Sequence, residues 1–408
     1  MRMTTRLGGL LFVSVMILSC LPAARGQIWL ANSNVWVTGQ ERMRLEYREN
    51  NVTFNDTINK DTDSWLLQRA RLGIGAKGFD WVKIFGELQD AREMGSTRFA
   101  ASPPGNADLE EDTIDWRQGW IEIANYKQFP LGAKVGRQEL SYGDERLIGT
   151  FDWNNAGRVF DAAKVRLQEE KFWVDLFKAN VVLNNVQSSR DQSFDDSTYW
   201  GDDLIGLYAQ TTLLSFQITE GYVLYRDKDS AEFDGPARRI WTLGTRWKST
   251  PKLAPWDYYL EVASQVGEVD KPGSTGTGKN PARRFGDNSL KNGIDHHALA
   301  AVIGGGFTCT NCPTKPRVGL EYNYASGDSN PNDKESTTFD NLFPTNHKFY
   351  GYMDLFAWKN IHNTRLTLSA SPHKTVVAQV DYHPAILIMA SCTRLFGVWC
   401  TDFSRNSA

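Results

Sequence analysis

The sequence predicts an all-β chain, a transmembrane antiparallel β-barrel of about 16–18 strands. Three observations lead there. Stretch after stretch alternates apolar with polar residues, and in a strand successive side chains point to opposite faces. Past the N-terminal segment, no apolar run reaches the ~18 residues of a membrane-spanning helix, whereas a spanning strand needs only ~9–11. Aromatic residues make up 12% of the chain, with 14 Trp, 14 Tyr and 21 Phe, high for a soluble domain and suited to the two interfacial girdles of a barrel. A water-soluble β-sandwich also alternates. Against it, the polar face is repeatedly charged, with Arg prominent, and the pattern runs on without a second domain.

The elements follow in chain order. Arg2 and Arg6 precede an apolar run from Leu10 to Leu21, and Ala24-Arg25-Gly26 offers small residues for cleavage before Gln27. Residues 1–26 therefore have the layout of a secretory signal. A lipoprotein signal ending at Cys20 fits less well, because Leu18 stands where a small residue is preferred. The barrel is expected over 27–383. In Val35–Tyr47, Val35, Val37, Met43, Leu45 and Tyr47 share one face, with Glu41 breaking it, while Thr38, Gln40, Arg42, Arg44 and Glu46 share the other. The scheme repeats with Leu72 and Ile74 against Arg69 and Arg71, and with Val82 and Ile84 against Lys83 and Glu87. Further on, Val165 opposes Lys164 and Arg166, and Leu214, Phe216 and Ile218 oppose Ser215, Gln217 and Thr219. Trp241 and Leu243 oppose Arg246, Leu320 opposes Arg317, and Leu368 opposes Arg365. Tight turns such as Lys77–Asp80 alternate with long polar loops at Ser96–Thr113, Asn184–Asp203, Val269–Asp295 and Gly327–Asn346, the barrel pattern of short turns on one side and long loops on the other.

The formal charge is −3, and no basic stripe points to nucleic acid. Cys309-Thr310-Asn311-Cys312 lies in a turn; a loop disulfide suits an exported chain better than zinc or thioredoxin-like chemistry. The loop Asp328–Glu335 has carboxylates at a spacing that could wrap calcium, but it lacks the full EF-hand pattern and a plain polar loop is favoured. No metal or cofactor is assigned. There is no nucleophile elbow, phosphate loop or supported Ser/His/Asp set, so the chain is not read as an enzyme.

Two stretches carry a family resemblance. Gly136–Leu167 contains GRQELSYGDERLIGTFDWNNAGRVFDAAKVRL, and Gly319–Ile361 contains GLEYNYASGDSNPND followed by TFDNLFPTNHKFYGYMDLFAWKNI. Together with the strands between them, from Val35 to Tyr382, they resemble the alginate export family. The resemblance implies a monomeric barrel in the outer-membrane lipid of a Gram-negative bacterium. It would export an anionic polysaccharide such as alginate, served by a periplasmic export scaffold. A general or anion-selective porin for small solutes is the alternative. A polyuronate carries a carboxylate on each sugar, and Arg pairs with carboxylates through two parallel hydrogen bonds. The resemblance implies that Arg137, Glu139, Asp144, Arg146 and Arg158 line or brace the pore. By alternation alone Arg42, Arg44, Arg69, Arg71, Arg246, Arg317 and Arg365 face the lumen. Arg158 keeps phase with Lys164 and Arg166, whereas Arg137 shares a face with Ala133 and Val135 and points outward unless a bulge intervenes. Asp144-Glu145-Arg146, after Gly143, equally suits a structural salt-bridge turn.

The segment 384–408 departs from the pattern. Alternation stops, Ala385–Ala390 is continuously apolar, and a closing strand ending in an aromatic residue is not evident. A frameshift after about His383 would explain the change of composition.

Overall fold

The computed structural model describes residues 24–30, 34–48, 63–95, 110–183, 197–229, 236–270, 293–330, 333–352, 354 and 356–388. They form a 17-stranded sheet. Its strands are β1 (Ala24–Leu30), β2 (Val35–Arg48), β3 (Asp63–Gly78), β4 (Val82–Met94), β5 (Asp112–Ala124), β6 (Leu131–Gln138), β7 (Phe160–Gln168) and β8 (Phe172–Leu183). Next come β9 (Ser197–Thr211), β10 (Gln217–Lys228), β11 (Arg238–Ser249), β12 (Trp256–Asp270), β13 (Gly293–Thr308) and β14 (Arg317–Ala325). The two-residue β15 (Glu335–Ser336), the single-turn helix α1 (His347–Tyr350), β16 (Ile361–His373) and β17 (Val376–Ile388) complete it.

Each long strand pairs antiparallel with the one before it, from β1 to β14 and on through β16 to β17. β15 adds a short parallel contact to β13. This up-and-down ladder is the strand order of a membrane barrel. Its two terminal strands have register partners on one side only among the described residues.

The strands turn the usual rule of burial inside out. On β2 the charged Arg42, Arg44 and Glu46 are buried, while Met43, Leu45 and Tyr47 between them are exposed. On β3 Arg69 is fully buried, whereas Leu72 and Ile74 are 55% and 58% exposed. Such a surface would be aggregation-prone in water; in lipid it is the ordinary outer face of a barrel. The alternation expected for β2, β3, β4, β7, β11, β12, β14 and β16 is the alternation found.

All connections at one end are short, such as Phe79–Trp81 and Lys374–Thr375, and the long loops gather at the other end. Two long loops differ in fold from simple rim loops. Loop A (139–159, between β6 and β7) and loop B (326–360, between β14 and β16) turn inward and meet. Ile148 forms a parallel bridge with Phe343, with Gly149 N donating to Phe343 O at 2.8 Å and Phe343 N to Leu147 O at 2.8 Å. The hydrophobic core lies here, inside the sheet, where Leu140, Leu147 and Ile148 of loop A and Phe339, Phe343 and Trp358 of loop B pack against Phe160 and Phe177 of the wall. The loops touch β2 and β3 on one side and β10, β11, β14 and β16 on the other, so the sheet wraps around them.

Some expectations shift. Of the strand expected over 214–219, residues 214–216 form a turn instead and β10 begins at Gln217; Leu213, Leu214 and Phe216 are exposed there, where apolar side chains suit the membrane interface. Three of the long loops are narrower than expected, because β5, β9, β12 and β13 run into them, whereas the one expected over Gly327–Asn346 is wider and becomes loop B, 326–360. β1 starts at Ala24 and so crosses the expected cleavage point; residues 1–23 lie outside the described residues. β17 continues past His383 to Ile388, with a register shift opposite Thr364–Leu366 that accommodates Pro384, as Pro in a sheet requires. The tail from Met389 on lies outside the described residues.

Candidate functional site

The inner wall and the two loops form one polar assembly, and the expected arginines hold it together. Asp152 of loop A sits between two of them: Arg71 Nη1 pairs with it at 2.7 Å and Arg69 Nη2 at 3.3 Å. Arg42 and Arg69 donate to the Asp152 carbonyl at 2.8 and 3.1 Å, and Arg44 to that of Trp153, whose ring it covers at 4.1 Å. Asn155, fully buried, accepts from Arg42 at 3.0 Å and donates to the carbonyls of Gln68 and Glu110, each at 3.0 Å. Arg42, Arg69 and Arg71 thus face the lumen as expected, but loop A covers them. They fasten the loop.

The other positions resolve one by one. Arg137 stays on the outward face, where it faces Asp161 across the β6–β7 ladder and pairs with it at 3.1 Å. Glu139 accepts from Arg117 at 2.5 Å. Asp144 accepts from Arg246 at 2.7 Å and Lys248 at 2.9 Å. Arg146 is buried against Glu321 (3.2 Å), Asn323 (2.9 Å) and the ring of Phe349 (3.6 Å). The turn holding these residues needs left-handed backbone at Gly143 (φ +57) and Glu145 (φ +66). The salt-bridge turn and the lumen position therefore coincide. Arg158 donates to Gly149 O of its own loop at 3.2 Å and to Pro344 O of loop B at 3.0 Å. Arg166 forms a bidentate pair with Asp175 at 2.5 and 2.7 Å and lies over Trp173. Arg317 is bidentate to Asp257 at 2.7 and 2.6 Å, and Arg365 reaches Glu321 at 2.7 Å.

Sequence reasoning missed three anchors. Arg117 turns inward because a bulge at β5 shifts the register opposite Glu87–Leu88, a change of phase that alternation cannot foresee. Arg226 and Arg238 clamp Asp340 of loop B; finding Arg226 required the right start for β10. In the polar loop Asp328–Glu335, the Asp328 and Asp333 carboxylates accept from the backbone N–H groups of Asn330 and Glu335 and hold turns. Cys309 and Cys312 form the expected disulfide.

A cavity of about 330 Å³ opens on the short-turn side of the loops, lined by Asp144, Lys248, Asp257, Tyr259, Arg317 and Arg365 among others. Burial alone would raise the Asp144 carboxyl, but Arg246 and Lys248 outweigh it and hold it at about 2. Asp152 and Asp340 are likewise held low against burial, the first by Arg71 and Arg69, the second by Arg238 and Arg226. Asp354 goes the other way: burial and the nearby Glu110 push it up to about 7.

A depressed carboxylate lends its docking energy above its ordinary pKa, 3.8 for Asp, and loses it as pH falls toward the depressed value. A raised one loses it as pH climbs from the ordinary value toward the raised one. Conductance is therefore expected to be lowest in mildly acidic solution and to rise below about pH 4, as the clamps on Asp144, Asp152 and Asp340 protonate. Bilayer recordings across that range check this; a flat response would mean that these pairs do not hold the loops.

The family described as alginate export matches residues 35–385. No curated protein matches in sequence. Among solved structures the chain is distantly similar to Pseudomonas aeruginosa OccK11 (OpdR), with 11% identity, 84% of this chain and 75% of that one covered, and a TM-score of 0.46. It is also similar to Pseudomonas putida OprB in a high-pH structure, with 12% identity, 82% and 84% covered, and a TM-score of 0.41. The family match takes in nearly every strand of the sheet and both inward loops, and this outer-membrane β-barrel pore of a Gram-negative bacterium belongs to the alginate export family.

Proposed function

We propose that the pore carries an anionic polysaccharide such as alginate outward through an arginine-lined lumen, as a monomer working with a periplasmic export scaffold. The observation that carries this reading is Arg158. Its guanidinium is held by two carbonyls at the junction of loops A and B, with no carboxylate in ion-pairing distance among the described residues. Burial and the neighbouring Arg226 lower its pKa to about 10, so it keeps its charge at any physiological pH. A positive charge without a fixed counter-ion at the junction of the two inward loops favours a passing carboxylate. The paired arginines around it, each already sharing an acid, would hold a polymer weakly enough to let it leave.

Planar-bilayer conductance of the refolded protein, with polyuronate oligomers titrated in, tests the proposal. Anion-selective channels are expected to be blocked by the oligomers, and Arg158→Ala is expected to weaken that block by about tenfold, the scale of one charge-assisted contact. The cavity of about 330 Å³ beside the loops, which has room for a small solute, favours a second reading, an anion-selective porin for small solutes. Stable channels indifferent to polyuronates would establish that reading instead.

A further inference from the structure

Two rows of inward side chains cross the wall at the short-turn end, and neither belongs to the loop clamps. The upper row is aromatic. The ladder sets Trp29 opposite Trp36, Trp36 opposite Gly75, Gly75 opposite Phe85, and Phe85 opposite Trp120. These positions share the inward phase of Arg42 and Arg71, so the rings do not belong to the outer girdles. Their centroids follow one another at 5.5, 6.3 and 5.4 Å, with the Trp36 and Phe85 planes nearly parallel at 7°. Gly75 makes this possible: a Cβ there would stand 2.1 Å from the Trp36 indole. The rings remain half-exposed to the lumen.

The lower row lies one inward step closer to the turns and is cationic. Lys77 stands opposite Lys83, Lys83 opposite Glu122, Glu122 opposite Lys134, and Lys134 opposite Lys164. Like charges directly opposite one another disfavour the sheet. Glu122 pairs with Lys83 at 3.1 Å. Lys134 has no carboxylate in ion-pairing distance among the described residues and rests its ammonium over Trp120 at 3.8 Å. Lys77 reaches Asp80 and Lys164 reaches Asp175, each at 3.5 Å, so among the described residues Lys134 is the lysine of the row left for an arriving anion.

We infer that the two rows form a loading site for a chain of pyranose rings bearing carboxylates, at the mouth that faces the periplasm. The apolar face of a pyranose presents C–H bonds that suit the electron-rich face of an indole, and the lysine row beside it takes the carboxylates. Neighbouring strands stand ~4.8 Å apart, comparable to the length of one sugar, so a polymer laid across the wall meets a ring or a lysine on each strand from β1 to β7, with Glu122 of β5 already paired to Lys83. This inference rests on the export reading and adds to it where the polymer first binds and by which chemistry.

The test is single-channel recording with hexauronate or hexaglutamate added on the short-turn side, residence times being read only on channels that insert and conduct. Trp36→Leu combined with Phe85→Leu keeps both side chains apolar, removes two π-faces and leaves Trp120, on which Lys134 rests, in place. It is expected to shorten hexauronate residence about tenfold and to leave hexaglutamate residence as it was, with Trp36→Phe on its own, which keeps a π-face, holding the wild-type value. Lys134→Gln is expected to shorten both. Equal losses for both oligomers in the Leu variant, or none for hexauronate while it still blocks, would overturn the loading site and leave the export reading standing. Failure of hexauronate to block the wild-type channel would overturn both. If the double variant does not insert, Gly75→Ala, which displaces the Trp36 ring, gives the same comparison.

Discussion

Asp340→Ala is expected to raise single-channel conductance several-fold. The carboxylate is buried between Arg226 and Arg238, its Oδ1 also accepts from the Leu342 N–H at 2.8 Å, and the chain beside it is tied to Gln265 at 2.8 Å. Alanine leaves two guanidiniums facing each other without their shared acid. Removing one partner from a buried ion pair costs ~3–5 kcal/mol. Arg226 keeps Asp202 at 2.6 Å, which places the loss toward the lower end. Even so, the loss is comparable to the energy that holds a docked loop, and loop B should swing out and take its contact with loop A along. Faster proteolysis within 326–360 should accompany the gain in conductance. Wild-type conductance and unchanged proteolysis would show that the clamp does not keep loop B in the lumen.

Leu72→Arg is expected to cost ~2–4 kcal/mol of folding into bilayers, the charge penalty at the lipid midplane of a barrel. Leu72 lies mid-strand on β3 and points away from the lumen. One position earlier the strand already carries an arginine, Arg71, which faces inward and bears no such penalty; Gly73, one position later, has no room for any side chain, because a Cβ there would collide with Thr38 Oγ1 and the Phe85 ring. Urea titration of folding in phospholipid vesicles, followed by heat-modifiable electrophoretic mobility, measures the difference. An unaltered midpoint would mean that the apolar face does not meet lipid.

These two experiments address what was legible in the sequence and what was not. Leu72 and Arg71 could be assigned to faces by inspection, because period-two alternation is local and a strand in a membrane barrel obeys it strictly. The outward course of Arg137 followed from the same rule. The fate of Asp340 could not be read. A loop's polar residues carry no periodicity, and whether they stay in water or turn into the lumen depends on partners more than a hundred residues away, as Asp340 and Arg226 are. The family motifs marked loops A and B as special, yet gave no sign that their arginine partners on β2 and β3 would be consumed in fastening them. Arg117 escaped because one extra residue in β5 reverses the phase. Arg158 kept the phase of β7 in sequence, but it lies ahead of the strand, and its position at the loop junction is a tertiary fact.

The distances in sequence have a consequence for how the molecule assembles. Ile148 meets Phe343, and Arg158 reaches Pro344 across 186 residues. The Arg226 and Arg238 anchors of loop B lie on strands made long before it, and the Arg246 and Glu321 anchors of loop A are made long after it. Neither loop can find its seat until most of the ladder has been zipped, because contacts between such remote segments bear the largest closure entropy and form late. The protein therefore enters its membrane hollow and fills afterwards: the last act of folding is to stopper the channel that the earlier acts have built.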